Sequence, residues 1–313
     1  MSLLTRRKFL GIAGITAAGC AAAPVLGSFK PNYDNEDFCF IHFTDVHIQP
    51  ERNGKEGFLK AVDSMNQINP RADFAISGGD LIMDALNVSY ERADTLYNMY
   101  METSKKLKMP VYNVIGNHEH FGVYESSGVT PDHPEYGKKM FMSRLGDGRT
   151  YRSFDYAGWR FLLLDSVGIT DDRKYYGVID DKQLQWMEEK LESAQGMPVA
   201  IVMHIPFYSA LPMYWYGPGK QVEKSWTITN AHQIAPMLEK YDIKLVLSGH
   251  IHARETWLYK GMDFTCGGAV CGAWWKGPYK GHPEGYGIIK VSKSGEFEYS
   301  FHTYGWKAKT DER

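Results

Sequence analysis

The sequence predicts an α/β fold with a β-rich C-terminal portion from about residue 255. Short apolar runs of strand type alternate with segments of helical spacing over most of the chain. Residues 255–304 read instead as strands joined by glycine turns, with a hairpin about 292–295. Nearly every cluster of metal-binding residue types falls just after one of the apolar runs, and in open α/β sheets ligands bind at the carboxyl ends of the strands.

The elements follow in order. Residues 28–37 form a linker into the first strand, 38–43, where His42 reads as a buried structural residue. A helical segment over 55–68 leads to a strand over 73–77, which ends in Gly78-Gly79-Asp80. Helical spacing over 88–108 stops at Pro110, and a strand over 111–115 ends in Gly116-Asn117-His118-Glu119. A strand over 159–164, a helix over 180–194 and a strand over 199–203 lead into His204. A helix over 231–241 and a strand over 244–247 end in Ser248-Gly249-His250.

Composition narrows the function. The chain has 313 residues, 43% of them hydrophobic and 23% charged, enough for a folded core and too apolar for long disordered tracts. Its net charge of −2 is spread without a basic stripe, so no nucleic-acid polymer is expected as a partner. At the start, Arg6-Arg7 precedes a short apolar run over 11–23, which resembles a twin-arginine export signal over residues 1–27. The run falls short of the roughly 20 apolar residues that span a bilayer. Cleavage at Cys20, after Ala17-Ala18-Gly19, would leave a lipid tether; cleavage after an alanine would release a soluble protein. Either way the protein is expected outside the cytoplasm, in the periplasm or on the outer face of a bacterial membrane. Cys266 and Cys271 read as small buried thiols, although export permits a disulfide between them.

The candidate metal ligands are Asp45, His47, Asp80, Asn117, His204, His250 and His252. Asp-x-His and His-x-His point two side chains to one side of an extended segment, so both can reach a single ion. Imidazole suits zinc and iron, while carboxylate and amide oxygens suit manganese, so the mixed set fits Mn, Fe or Zn. The glycines ahead of Asp80, Asn117 and His250 are expected to let the chain turn sharply at the strand ends.

This ordered set resembles the calcineurin-like metallophosphoesterases over residues 38–254. Their pattern is Asp-x-His, Gly-Asp, Gly-Asn-His-Asp/Glu, His and Gly-His-x-His, and the chain is identified as an exported bacterial member. The resemblance implies a four-layer α/β/β/α sandwich with two metal ions. One would take Asp45, His47, Asp80 and His252; the other would take Asp80, Asn117, His204 and His250. It also implies that His118 faces the substrate as a general acid. Two cations roughly 3.5–4 Å apart would clamp a phosphoryl group and turn a bridging water into hydroxide.

The chain departs from its relatives after Asp80. Where related phosphatases carry an Asp that orients the histidine, this sequence has Met83, with Asp84 one residue on. Asp84 is therefore either the partner of His118 or a loop residue. No arginine of the protein Ser/Thr phosphatase type follows, and the tyrosine of purple acid phosphatases is absent.

Three loops are expected to shape the substrate pocket: 121–149, 206–226 and 267–286. Trp274 and Trp275 are the candidate substrate contacts, by stacking, with loop packing as the alternative. His120 reads as a surface histidine, with a substrate contact as the alternative. The expected activity is hydrolysis of a small-molecule phosphate monoester or diester. The alternative is a non-catalytic envelope protein that binds a phosphorylated glycan or lipid; a missing ligand would favour it, and none is missing.

Overall fold

The computed structural model describes residues 36–309. The expected export segment at 1–27, Cys20 included, lies outside them. The first sheet has the order β13-β12-β1-β2-β3. Its members are β1 (Phe38–Phe43), β2 (Phe74–Ser77), β3 (Val111–Asn113), β12 (Tyr286–Val291) and β13 (Phe297–His302). The second sheet has the order β10-β11-β9-β8-β5-β4. It is built from β4 (Arg152–Tyr156), β5 (Trp159–Leu163), β8 (Val199–Val202), β9 (Ile243–Ser248), β10 (Glu255–Tyr259) and β11 (Met262–Cys266). A separate hairpin joins β6 (Val167–Ile169) to β7 (Tyr175–Gly177).

Side chains alternate along β1, and the alternation builds two layers at once. Cys39, Ile41 and Phe43 face helices α1 (Gly54–Met65) and α2 (Tyr90–Ser104), meeting Phe58, Val62, Leu96 and Tyr100 in one buried cluster. Phe38 and Phe40 face the other way, into a core shared with Phe74, Phe161, Val202 and Leu247. Phe74 links the two sheets, stacked on Phe40 at 5.2 Å and edge-on to Phe161 at 5.3 Å. Such aromatic pairs contribute about 0.5–1.5 kcal/mol each beyond their buried area. On the far side, helices α4 (Asp181–Glu192) and α6 (Ala231–Leu238) cover the second sheet through Met187, Leu191, Ile234 and Leu238. The layers therefore run α/β/β/α.

The C-terminal strands divide between the sheets. β10 and β11 extend the second, while β12 and β13 extend the first through antiparallel pairing of β12 with β1. Among the described residues no helix is long and apolar enough to cross a membrane.

Several expected boundaries move, for local reasons. Helix α2 begins at Tyr90, because Ser89 is its cap and accepts from the Arg92 N–H. Asp180 likewise caps α4, accepting from the Gln183 N–H at 2.8 Å. Strand β4 was not expected. It returns on β5 through Ala157 and Gly158, both at positive φ (43° and 80°), a turn usually signalled by Asn-Gly. The short helices α3 (Lys139–Arg144) and α5 (Leu211–Tyr216) were also unforeseen.

Candidate metal centre

The five motifs meet at one end of the sandwich, each on the segment that leaves a strand. Asp45 and His47 follow β1, Asp80 follows β2, Asn117 follows β3, His204 follows β8, and His250 and His252 follow β9. All seven predicted ligands come together, in two groups. In the first, His47 Nε2 lies 3.1 Å from His252 Nε2, which is itself 3.4 Å from Asp45 Oδ1. In the second, His204 Nε2 lies 3.1 Å from Asn117 Oδ1 and 3.2 Å from His250 Nδ1. Asp80 faces both groups, its Oδ2 3.6 Å from His47 Nε2 and 3.0 Å from His204 Nε2.

The second ring nitrogens decide what these atoms are. His204 Nδ1 donates to the Gly78 carbonyl at 2.8 Å, and His252 Nδ1 donates to that of Gly272 at 2.6 Å. With those protons committed, both Nε2 atoms present lone pairs to the cluster. Lone pairs of nitrogen and carboxylate oxygen thus converge in a buried space, an arrangement that a cation relieves. The electrostatics show a competition for these lone pairs. Burial opposes a charge on His204, but Asp80 outweighs it and lifts the ring to about 9, so a proton competes with a cation for its Nε2. Burial, and then the neighbouring His204, push His250 down to about 3. Burial also works against the charge on Asp80, yet His204 and His118 hold its carboxyl well below the usual range. The donor set therefore fits metal.

Backbone geometry holds these side chains in place. Asp45, His47, Asp80, His250 and His252 all sit at positive φ, between 42° and 73°. For residues other than glycine this region is sparsely populated, at order 1–3 kcal/mol each, and such strain gathers at functional sites. The Glu119 carboxylate accepts N–H bonds from Asp80, Leu81, Ile82 and Gly116 at 2.7–3.2 Å, tying the second and third loops together. Asp45 accepts from the Thr44 hydroxyl at 2.8 Å and from the His250 N–H at 3.0 Å. The expected role of the glycines is corrected in part. Gly79 does turn at φ 88°, but Gly116 and Gly249 are required for close approach: a Cβ on either would overlap Asp80 or Thr44.

His118 borders the site, 23% exposed, its ring edge-on to His47 at 4.6 Å. Asp84 Oδ1 stands 3.6 Å from its Nδ1, an ion-pair distance beyond hydrogen-bond reach. Both readings of Asp84 hold together, since the same carboxylate accepts from the Leu86 and Asn87 N–H groups and so shapes its own turn. Burial opposes protonation of His118, but Asp80, then Asp84 and Glu119, lift it to about 9.

Two expected roles are corrected. His120 is fully buried and bonds through Nδ1 to the Gly116 carbonyl, so it is neither a surface residue nor a substrate contact. Trp275 is 1% exposed and points away from the cleft. Its ring packs on Gly54 and Gly57, and its Nε1–H donates to the His47 carbonyl at 3.0 Å. Trp274 does face the cleft, 4.4 Å from the His252 ring. Cys266 and Cys271 are free, buried thiols.

The cleft over the ligands has a volume of about 180 Å³ and is lined further by Tyr175, Trp226, Ile251 and Tyr279. Of the three expected loops, 267–286 supplies Trp274 and Tyr279, while 206–226 supplies Trp226 alone. Loop 121–149 contributes nothing to the lining. Phe121, Met140 and Phe141 are buried in the core on the helical side of the first sheet. The lining residues Tyr175, on β7, and Ile251 were not foreseen; only the position of Ile251 between two ligands signalled it.

The chain is similar to known proteins. The chain is 25% identical over 240 residues to a 3′,5′-cyclic-nucleotide phosphodiesterase of Nostoc sp., covering 71% of this chain and 76% of that protein. It is 22% identical over 226 residues to the 3′,5′-cyclic adenosine monophosphate phosphodiesterase CpdA of Escherichia coli, covering 68% of each. Its fold is similar to that of a dimetal phosphatase from Danio rerio, with a TM-score of 0.59 at 17% identity, covering 86% of this chain and 99% of that one. A family model described as calcineurin-like phosphoesterase matches residues 39–254, the span that contains all seven converging ligands. On that match and this geometry, the chain belongs to the calcineurin-like phosphoesterase family.

Proposed function

We propose that this chain hydrolyses a small phosphoric ester with the help of two metal ions held by the seven converging residues. The observation that carries the reading is Asp80, whose Oδ2 faces both ligand groups at once. Asp45, His47, Asp80 and His252 would hold one ion; Asp80, Asn117, His204 and His250 would hold the other. The donors suit Mn, Fe or Zn. Bound there, such ions supply Lewis-acid polarisation of the phosphoryl group and an activated water.

The chain's own residues do the rest. Asp45 and Asp80 place negative charge in a buried space, and their bonds to the His250 and His118 N–H groups fix where that charge sits. His118 stands at the cleft edge with Asp84 behind it, positioned to give a proton to the leaving oxygen. A cleft of about 180 Å³ suits a small molecule. The relatives named as cyclic-nucleotide phosphodiesterases support a diester among the substrates.

The reading extends to location. Arg6-Arg7 ahead of a short apolar run supports export by the twin-arginine machinery to the periplasm or the outer membrane face, with Cys20 as the tether if lipidated.

Metal analysis of the purified protein, with para-nitrophenyl phosphate and its bis-ester as substrates, tests site and chemistry together. Metal-dependent hydrolysis of at least one is expected, and Asn117→Ala is expected to abolish it. Full activity in that variant would overturn the assignment.

A further inference from the structure

Trp274 and Trp275 both take positive φ, 51° and 68°, a backbone region that bulky residues avoid. Trp275 accounts for part of this, because its ring is locked in the core against Gly54 and Gly57. Trp274 turns the other way and lines the cleft. Its ring lies 4.4 Å from that of His252 and 6.0 Å from that of His47, beside the ligand cluster.

Tyr279 meets Trp274 at 5.8 Å and 86°, and both pack on His252, whose ring lies 4.4 Å from Trp274 and 5.7 Å from Tyr279 and fills the angle between them. Trp215 buttresses Tyr279 from behind, edge-on to it at 6.1 Å and to Trp226 at 6.4 Å. The Lys280 ammonium sits over Trp215 at 4.7 Å, holding the outer loop to the inner one. Across the cleft Tyr175 stands edge-on to His250 at 6.1 Å. The cleft beside the candidate ligands is thus lined by the rings of Trp274, Tyr279, Tyr175 and Trp226, and a flat ring entering it can stack on one of them or meet it edge-on, the two arrangements aromatic groups prefer.

We propose, resting on the phosphoesterase reading above, that this aromatic lining selects phosphoesters whose alcohol carries a flat ring, with Trp274 and Tyr279 as specificity-determining residues. Open-chain alcohols offer nothing to stack. The ring could belong to a nucleoside or to a simple aryl alcohol, which share the chemistry.

The test compares kcat/KM for adenosine 5′-phosphate, phenyl phosphate and glycerol phosphate, each as monoester and methyl diester, with the metal-loaded enzyme. At least one ring-bearing ester is expected to exceed its glycerol counterpart by about tenfold or more, the scale of base–aromatic stacking. The arm that does so identifies nucleoside or aryl. Trp274→Ala is expected to collapse that ratio, and Trp274→Phe to restore most of it. Metal content is measured in each variant, so that loss of the neighbouring ions is not mistaken for loss of stacking. A wild-type ratio near one, or a parallel fall of all substrates in Trp274→Ala, would overturn the selection. Hydrolysis of no ester by metal-loaded enzyme would instead overturn the phosphoesterase reading.

Discussion

The indole N–H of Trp275 donates to the main-chain oxygen of His47 at 3.0 Å, so a core side chain holds the backbone of a candidate metal ligand. Trp275→Phe keeps most of the packing and loses the bond, and is expected to destabilise the fold by about 1–2 kcal/mol. Trp275→Ala also opens a cavity, at about 3–5 kcal/mol. Both should weaken metal binding. Urea denaturation and metal titration check this; unchanged metal affinity in Trp275→Phe would make the contact incidental.

The Asp84–His118 pair predicts a coupled kinetic effect. His118→Ala is expected to lower kcat by about 10²–10⁴, the range of general acid–base catalysis. Asp84→Asn preserves an acceptor for the turn but removes the charge, so a smaller fall is expected with metal retained. In the double variant the losses should not add, because Asp84 acts through His118. Strict additivity in steady-state kinetics would separate the two residues.

Chelation should cost stability as well as activity. The converging lone pairs around Asp80 are relieved by cations, and a ligand at 100 times its Kd stabilises by about 2.7 kcal/mol. Treatment with EDTA is expected to lower Tm, with recovery on adding Mn²⁺ or Zn²⁺. Asp80→Ala should lose the metal of both groups, whereas Asn117→Ala should keep that of the Asp45 group. Equal metal content in the two variants would contradict a shared carboxylate.

His42 predicts a pH dependence. It is 1% exposed, neither ring nitrogen finds a hydrogen-bond partner among the described residues, and burial followed by the charge of His204 pushes its pKa down to about 3. The unfolded chain takes up this proton near pH 6.5, the folded one only near 3. The stability from keeping the ring neutral is therefore intact above 6.5 and is lost as pH falls toward 3, by up to about 1.4 kcal/mol per unit. His42→Leu removes this component. Its stability relative to wild type should improve between pH 7 and 4.5 in urea denaturation; parallel curves would refute the assignment.

The convergence of the seven candidate ligands was legible because metal chemistry restricts residue type and spacing, and because each follows a strand that its own apolar run announces. The layers were legible for a related reason: Phe38 to Phe43 must face two cores at once. What stayed hidden depends on contacts between distant segments. Nothing in Trp274-Trp275 says which indole turns inward, since that is decided by the space over Gly54 and Gly57. His120 looks exposed beside a charged motif, yet it is fully buried, its Nδ1 bonded back to the Gly116 carbonyl. Asp84 is offset by one residue from the expected position. The chain after Asp80 pairs Ile82 with Ile48, and that route brings the carboxylate to His118 all the same.

The four N–H bonds received by Glu119 have a consequence for how the centre is assembled. They span both the Asp80 loop and the Asn117 turn, and none of them involves a metal-binding atom. The scaffolding around Asp80 thus rests on bonds in which no ion takes part, and if two ions bind as proposed it needs neither of them. Loading then resembles filling a rigid mould more than moulding clay. Preference among ions would be set by radius and coordination habit, and one metal could be exchanged for another without refolding the protein.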